Sequence, residues 1–239
     1  MKEYQGENAK YFFWSLSNLY MINPALHRVI PNTSNNSLLD VGCGHGDFYP
    51  LATKKGYKYL GIDKFNDMLN EGRIKYPNAK FLKGDVKNLS DLKLNKKFDV
   101  ILCNMLFATF ARPSEITKVL TETRKLLTPN GKVVISAAHP AFDGYMQSNL
   151  FQRKDIKTQF EGYYKEGAKY EVRPKHSKMH FTDYHHTLET YIDSAQQAGL
   201  NLIKLDDCRP LPKLKKVDPK YYAMRSKFPC FMVLTFSKK

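Results

Sequence analysis

One nine-residue run, Leu38 to Gly46, constrains the fold of this chain more than any other, and it reads LLDVGCGHG. An apolar strand passes directly into three closely spaced glycines and then into a helical pattern that begins at Asp47. A strand, a glycine-rich turn and a helix form one half of a nucleotide-binding unit. The three glycines of this run permit a tight turn, let a ligand lie against bare backbone, and let the helix pack closely on the strand; they are Gly42, Gly44 and Gly46.

The glycine spacing and two nearby acids indicate what this turn binds. The spacing is G-x-G-x-G rather than the G-x-G-x-x-G of pyrophosphate-binding loops, and Asp40 stands two residues before the first glycine. A carboxylate there repels a pyrophosphate and suits a cationic ligand, such as the ammonium and sulfonium of S-adenosylmethionine (SAM). Asp63 ends a second apolar strand 17 residues after Gly46, near the distance at which an acid accepts from ribose hydroxyls.

Five motifs then follow one another in order along the chain. They read LLDVGCGHGDF, YLGIDKFNDML, FLKGDV, FDVILCNMLF and LLTPNGKVVISAAHP. Together they resemble the class I SAM-dependent methyltransferases, and five ordered motifs are more specific than a lone glycine loop. The flanks NPALHRVIP, YHHTLETYIDSAQQAGLNLIKL and FPCFMVLTFSKK resemble the small-molecule branch of that family more weakly.

The resemblance implies SAM as cofactor, S-adenosylhomocysteine as product, and further site residues. Asp85, in the motif that ends at Val86, corresponds to the acid that accepts from the adenine amino group, and Asn104 faces the methionine end of the ligand. Each of these residues also has a purely structural reading. Asp63 suits a helix N-cap, while Asp85 and Asn104 suit ordinary turns.

Periodicity and resemblance together predict an α/β fold, a Rossmann-like doubly wound sheet of seven mostly parallel strands. We expect strands at 37–41, 58–62, 80–82, 98–103, 132–137, 200–205 and 229–236, and helices at 47–55, 66–75, 114–127 and 187–198. Gly56 and the turn at 129–131 are expected to end two helices. Residues 1–36 are expected to form an N-terminal helical cap, and 37–239 a methyltransferase domain. Within that domain, 141–180 lack a clear period and predict a mobile lid over the acceptor site.

Charge and composition limit the classes of partner that we expect this chain to bind. The chain of 239 residues has a net charge of +15, but residues 1–138 carry 20 basic against 12 acidic side chains and 139–239 carry 18 against 11. Such an even spread favours a solvated lysine-rich surface over a nucleic-acid face, although Lys213 to Tyr222 form a local basic and aromatic patch. No apolar run predicts a membrane span or a signal peptide, so we expect the cytoplasm. The oligomeric state is left open.

The sequence indicates less about catalysis than about cofactor binding. A general base is needed only if the acceptor loses a proton, and His139 and His185 are the candidates, each with a capping or surface role as the alternative. The four cysteines form no C-x-x-C pair, and the histidine spacings are not those of a zinc site, so we expect no metal. Two alternatives to a small-molecule methyltransferase stay open: an RNA methyltransferase and a non-catalytic SAM-binding partner subunit.

Overall fold

The computed structural model describes residues 16–142, 162–172 and 181–239. Seven strands form one sheet in the order β3-β2-β1-β4-β5-β9-β8. The strands of this sheet are β1 (Ser37–Val41), β2 (Lys58–Asp63), β3 (Lys80–Lys83), β4 (Phe98–Asn104), β5 (Leu127–Ala138), β8 (Leu200–Asp207) and β9 (Phe231–Lys238). β9 runs antiparallel to both of its neighbours, and the other six strands are parallel. The predicted fold class is confirmed.

Helices follow the strands on both faces of the sheet. They are a π-helical segment Asn18–Ile22, α1 (Asn23–Val29), α2 (Tyr49–Lys54), α3 (Asn66–Lys75), α4 (Pro113–Leu126), α5 (Leu188–Gln197), α6 (Leu214–Val217) and α7 (Pro219–Arg225). The helix predicted from position 47 begins only at Tyr49, because the glycine-rich turn continues through Phe48 and Pro50 occupies the first helical turn. Among the described residues, no helix combines the length and the apolar character that crossing a bilayer requires.

The predicted lid falls largely outside the described residues. Of 141–180, the structure describes 141–142 and 162–172, where β6 (Lys169–Val172) pairs antiparallel with β7 (Phe181–Tyr184) as a separate two-stranded ribbon. The backbone N–H of Gly167 donates to the carbonyl of His185 (2.8 Å), and the N–H of His185 donates to Ala168 (2.9 Å). The described part of this segment is therefore tied to the residues that precede α5.

Side chains alternate between the two faces of the sheet. Leu38 packs in the core on one face and Leu39 in the core on the other, and Ile101 and Leu102 of β4 divide in the same way. A sheet that is covered on both faces needs strands that are apolar throughout, which is what the sequence shows. The chain reverses its strand order between β1 and β4. Ligands of open α/β sheets bind at such a point, outside the carboxyl ends of the strands.

One expected turn takes a different form. The chain passes from α4 straight into β5, and the helix ends at Leu126 with Leu127 in an extended conformation. Gly131 does not adopt a positive φ, so the prediction that the turn at 129–131 ends this helix in the left-handed conformation is wrong. The physical reason is that Leu127 already pairs with Phe98 of β4, and the extra residues bulge before pairing resumes at Lys132.

Gly56, in contrast, ends α2 as predicted, with φ of 87°. A Cβ at this position would lie 1.8 Å from the backbone carbonyl oxygen of Thr33, and backbone cannot move aside as a side chain can. We expect Gly56→Ala to lower the free energy of unfolding by about 2 to 5 kcal/mol, through left-handed strain plus overpacking. Chemical denaturation followed by circular dichroism measures this loss.

Gly199→Ala is the matched control, because Gly199 has a similar φ of 76° but faces the flexible side chain of Arg124. Its expected cost is about 1 to 2 kcal/mol, from backbone strain and from a shift of Arg124, whose Nε donates to the Gly199 carbonyl at 3.0 Å. Equal losses in the two variants would contradict the role assigned to the Thr33 carbonyl.

Candidate functional site

A cavity of about 180 Å³ lies at the carboxyl ends of β1, β2 and β4. Seven of the eight residues that the sequence suggests for cofactor binding line it: Asp40, Gly42, Gly44, Asp63, Asp85, Val86 and Asn104. These residues come from four separate motifs, spread over 65 positions from Asp40 to Asn104. The parallel sheet brings them together because each follows or ends a strand at the same edge.

The glycine-rich turn leaves bare backbone facing the cavity. Gly42, Gly44 and Gly46 all have positive φ, of 73°, 54° and 74°, a conformation that other residues adopt only with strain. Gly46, the eighth candidate, does not line the cavity; a Cβ there would lie 2.5 Å from the ring of Phe81. Gly46 therefore serves packing of the turn against β3, whereas Gly42 and Gly44 form part of the cavity wall.

Asp40 is a buried acid with an unused oxygen. Its side chain is 2% exposed, and Oδ2 accepts a hydrogen bond from the hydroxyl of Tyr59 at 2.8 Å. Oδ1 is buried, and no described residue donates to it. Burial raises the pKa of Asp40 to about 7 against the opposing effect of the Tyr59 hydrogen bond. A buried carboxylate oxygen without a donor is costly, and a cationic group in the cavity would compensate it.

Asp63 connects two parts of the cavity wall. Oδ2 accepts from the backbone N–H of Gly44 (2.9 Å), and Oδ1 accepts from the N–H of Phe65 (2.9 Å). The N-cap of α3 is Phe65, so Asp63 does not occupy the capping position. Burial raises the pKa of Asp63, and the two backbone donors oppose that shift. Each carboxylate oxygen has two acceptor sites, so the side chain retains capacity for ligand hydroxyls.

Asp85 and Val86 form the wall beyond β3. Asp85 caps a 3₁₀ helix, Val86–Leu92, by accepting from the N–H of Lys87 at 2.9 Å. The local capping role and the cavity-lining position occur together, because one oxygen is sufficient for the cap. The structural and the cofactor-binding interpretations of Asp85 are therefore compatible.

Asn104 and Met105 form the wall at the end of β4. The side-chain oxygen of Asn104 accepts a hydrogen bond from the Ser136 hydroxyl of β5. Met105 has φ of 53°, although it is not a glycine, and its N–H donates to both the carbonyl and the hydroxyl of Ser136 at 3.0 Å. Ser136 thus holds a strained residue in place at the cavity, as is common at ligand sites.

Sequence reasoning missed several residues of this wall. Met105 was missed because a positive φ at a methionine has no sequence signature. Asn18 and Asn23, from the N-terminal helical segment, and Phe110, from beyond β4, also line the cavity. Their positions depend on how the N-terminal helix packs on the sheet, which no local motif indicates.

His139 lies at the correct edge of the sheet but outside the cavity wall. It follows β5 directly, and its N–H donates to the carbonyl of Cys230 at 2.9 Å. Nδ1 is buried, and no described residue pairs with it. Burial lowers the pKa of His139, against the opposite effect of Asp207. The ring is therefore neutral near pH 7, the form that can accept a proton.

His185 also lies outside the cavity wall. It is 3% exposed, and Nε2 lies 2.7 Å from the carbonyl oxygen of Tyr163. The adjacent His186 contacts two acceptors, the carboxylate of Glu166 (3.0 Å) and the carbonyl of Phe110 (2.8 Å). Both histidines hold the segment at 162–168 against the rest of the fold. The catalytic role suggested for His139 and His185 stays a prediction.

Within residues 16–142, 162–172 and 181–239, no three His, Cys, Asp or Glu side chains are grouped as metal ligands would be. The four cysteines are free thiols.

Comparison with known proteins identifies the family. The model of the methyltransferase domain matches residues 16–205, which is most of the chain. The fold and the match together place the chain in the class I SAM-dependent methyltransferase family, and its cofactor is SAM.

The individual relatives share about a quarter of their aligned residues with this chain. A putative SAM-dependent methyltransferase from Listeria monocytogenes superposes with a TM-score of 0.66 at 23% identity, over 90% of this chain and 95% of that one. An N,N-dimethyltransferase of dTDP-3-amino-3,4,6-trideoxy-alpha-D-glucopyranose from Streptomyces venezuelae is 26% identical over 49% of this chain and 50% of its own length. A ubiquinone biosynthesis O-methyltransferase of Coxiella burnetii is 26% identical over 54% and 56%. The chain thus matches about half the length of these two enzymes.

Proposed function

We propose that this methyltransferase binds SAM in the cavity at the carboxyl ends of β1, β2 and β4 and transfers its methyl group to a small molecule. The observation that carries the placement is the unused Oδ1 of Asp40, a buried acceptor in the cavity wall. The positive charge of an ammonium or sulfonium group would compensate this buried carboxylate oxygen. The cavity thus fits a cofactor with a cationic end and a ribose.

The other residues follow from that placement. Asp63 accepts from the ribose hydroxyls, and Asp85 accepts from the adenine amino group beside Val86. Gly42 and Gly44 allow the cofactor to lie against bare backbone, and Gly46 keeps the turn packed on β3. Asn104 and the backbone of Met105 bound the methionine end.

When bound, SAM supplies a methyl group that its sulfonium already activates. The protein must then align the acceptor with the carbon–sulfur bond and exclude water, and such positioning contributes about 7 to 11 kcal/mol. For a hydroxyl or carbon acid, a base adds a factor of about 10² to 10⁴. His139 is our first candidate for that base, since it is neutral and lies one residue past β5, next to the strand that carries Asn104. His185 is the second, and residues 141–180 are proposed to cover the acceptor.

Two observations support a small-molecule acceptor. The basic side chains are evenly spread, and only 8 of the 38 are arginines, whereas recognition of phosphate backbones favours clustered arginines. The two enzymes named above, similar over about half their length, are named for an amino-sugar nucleotide and for ubiquinone biosynthesis. We therefore favour a metabolite over RNA.

Incubation with methyl-labelled SAM tests this choice. We expect label to enter a small molecule when the protein is given a metabolite extract, with only ordinary screening by salt. Total RNA, given separately, should stay unlabelled.

Label in RNA that declines steeply with salt would reverse the choice. Binding through phosphates makes log K fall by about 0.7 to 0.9 per phosphate for each tenfold rise in salt. The Asp63→Ala protein is the control for both substrates, because it lacks the ribose acceptor and should label neither.

A further inference from the structure

Arg225, at the end of α7, is a buried cation that pairs with no carboxylate of the described residues. Its side chain is 5% exposed. Nε is buried, and no described residue accepts a hydrogen bond from it. No carboxylate of the described residues forms an ion pair with it either. By contrast Arg28, whose side chain is 45% exposed, pairs with Asp206 at 3.1 Å.

Aromatic rings hold the guanidinium in place. It lies over the ring of Tyr221, 4.8 Å from the centroid, and over that of Phe231 at 5.5 Å. Stacking of this kind compensates part of the desolvation of a cation. The guanidinium also has hydrogen bonds with the side chains of Cys230 and Tyr221, which leaves Nε as the donor that has no acceptor among the described residues. A desolvated arginine whose Nε lacks an acceptor is suited to recognising a carboxylate or a phosphate.

Two connections relate Arg225 to the cofactor cavity. The hydroxyl of Tyr221 and that of Ser17 are hydrogen bonded at 2.6 Å, and the next residue, Asn18, lines the cavity. Phe231 begins β9 and pairs with Ala138, the residue before His139. Both rings that hold Arg225 are therefore next to structure that borders the cavity or carries the proposed base.

The sheet gives the direction from the cofactor to Arg225. Asn104 of β4 pairs with Ser136 of β5, and β5 pairs with β9. Two strand spacings, about 10 Å in all, separate the end of β4 from the start of β9. Phe142 and Phe228 stack along this edge with centroids 5.5 Å apart. His139 in turn contacts Phe142, with ring centroids 5.1 Å apart, so an acceptor that joined the cofactor to Arg225 would lie against these rings.

We infer that Arg225 binds an anionic group of the methyl acceptor, a carboxylate or a phosphate, at the end remote from the methylated atom. This inference rests on the proposed function, because it assumes that the acceptor lies beside the SAM cavity. It limits the acceptor to small acids or phosphate esters with an apolar body. Neutral metabolites would leave the buried guanidinium without a partner.

Nuclear magnetic resonance on the full-length ¹⁵N-labelled protein with S-adenosylhomocysteine tests the inference. The Arg225 Nε–H signal is assigned as the one that is missing in Arg225→Lys. We expect this signal to move on titration with phenyl phosphate or with benzoate. The probe that binds with the higher affinity shows whether Arg225 prefers a phosphate or a carboxylate. Benzyl alcohol, which has the ring without the charge, should not move it.

Variants add a measurement of affinity. Arg225→Met should weaken binding of the effective anion by about tenfold or more, as expected for loss of a charged hydrogen bond. Arg28→Met, which removes an exposed and already paired arginine, should not. If Arg225→Met fails to fold, the titration of the wild-type protein decides alone.

The outcomes separate the two proposals. If S-adenosylhomocysteine moves the amide signals of Gly42 and Gly44 but neither anion moves the Arg225 signal, the inference is overturned and the proposed function stands. If S-adenosylhomocysteine leaves those amides unchanged, the proposed cofactor site is wrong and the inference falls with it.

Discussion

Asp63→Ala is expected to lower SAM affinity by about 150-fold or more. The carboxylate has two functions in the structure: it fixes the glycine turn through the N–H of Gly44, and it offers acceptor sites to the ribose. Two charged hydrogen bonds to the ribose hydroxyls correspond to at least about 3 kcal/mol, which is a factor of about 150. The change in the turn adds to this loss. Isothermal titration calorimetry with SAM measures it.

Two variants show which function of Asp63 is lost. Asp63→Asn keeps the shape and one acceptor oxygen, so we expect an intermediate loss of about tenfold. Asp99→Ala is the matched control, because Asp99 also accepts from a backbone N–H, that of Ser37 at 2.8 Å, but at the amino end of the sheet. It should change stability without changing SAM affinity. Wild-type affinity in a folded Asp63→Ala protein would refute the ribose assignment.

SAM affinity is expected to rise with pH up to about 7. Burial raises the pKa of Asp40 to about 7, so in the free protein this carboxyl is mostly protonated at pH 6. The ammonium of SAM favours the ionised carboxylate, so binding releases a proton below pH 7. Affinity should then increase up to about tenfold per pH unit below 7. It should level off above 7 and fall when the ligand amine loses its proton, near pH 7.7 to 8.0.

Calorimetry in two buffers of different ionisation enthalpy detects the released proton directly. Asp40→Asn should bind more weakly and release none. Tyr59→Phe removes the hydrogen bond that lowers the pKa of Asp40. The midpoint of the pH dependence of SAM affinity should therefore move above pH 7. An unchanged midpoint in this variant, or proton release that persists in Asp40→Asn, would show that another group titrates.

The same shift affects the stability of the free protein, with the opposite dependence on pH. The pKa of Asp40 is raised from 3.8 to about 7 on folding. The contribution of the Asp40 carboxyl to the free energy of unfolding is therefore complete below pH 3.8. It is lost as the pH rises through 7. The full loss is about 4 kcal/mol. Unfolding experiments without SAM should show this decline in the wild-type protein and a smaller one in Asp40→Asn.

The sequence predicted the sheet, most strand ends to within a few residues, and the place of the glycine-rich turn. It could do so because apolar runs, glycines and strand-ending acids are local signals, and parallel strands bring their carboxyl ends to one edge. Asp40, Asp63, Asp85 and Asn104 could thus be assigned to one cavity before any coordinates were known. The prediction for the turn at 129–131 was wrong because pairing of Leu127 with β4 overrode the turn signal.

Which polar groups have no partner among the described residues depends on tertiary packing. Nothing in the sequence shows that Asp40 has an oxygen without a donor among the described residues, whereas both oxygens of Asp63 accept from backbone. Likewise Arg225 resembles any surface arginine in sequence, yet it is buried between two rings contributed by α7 and β9. Burial and hydrogen bonding depend on residues far apart in the chain, and these set the free energy of a charge. For that reason the fold could be read locally, whereas the chemistry of the site required the packed structure.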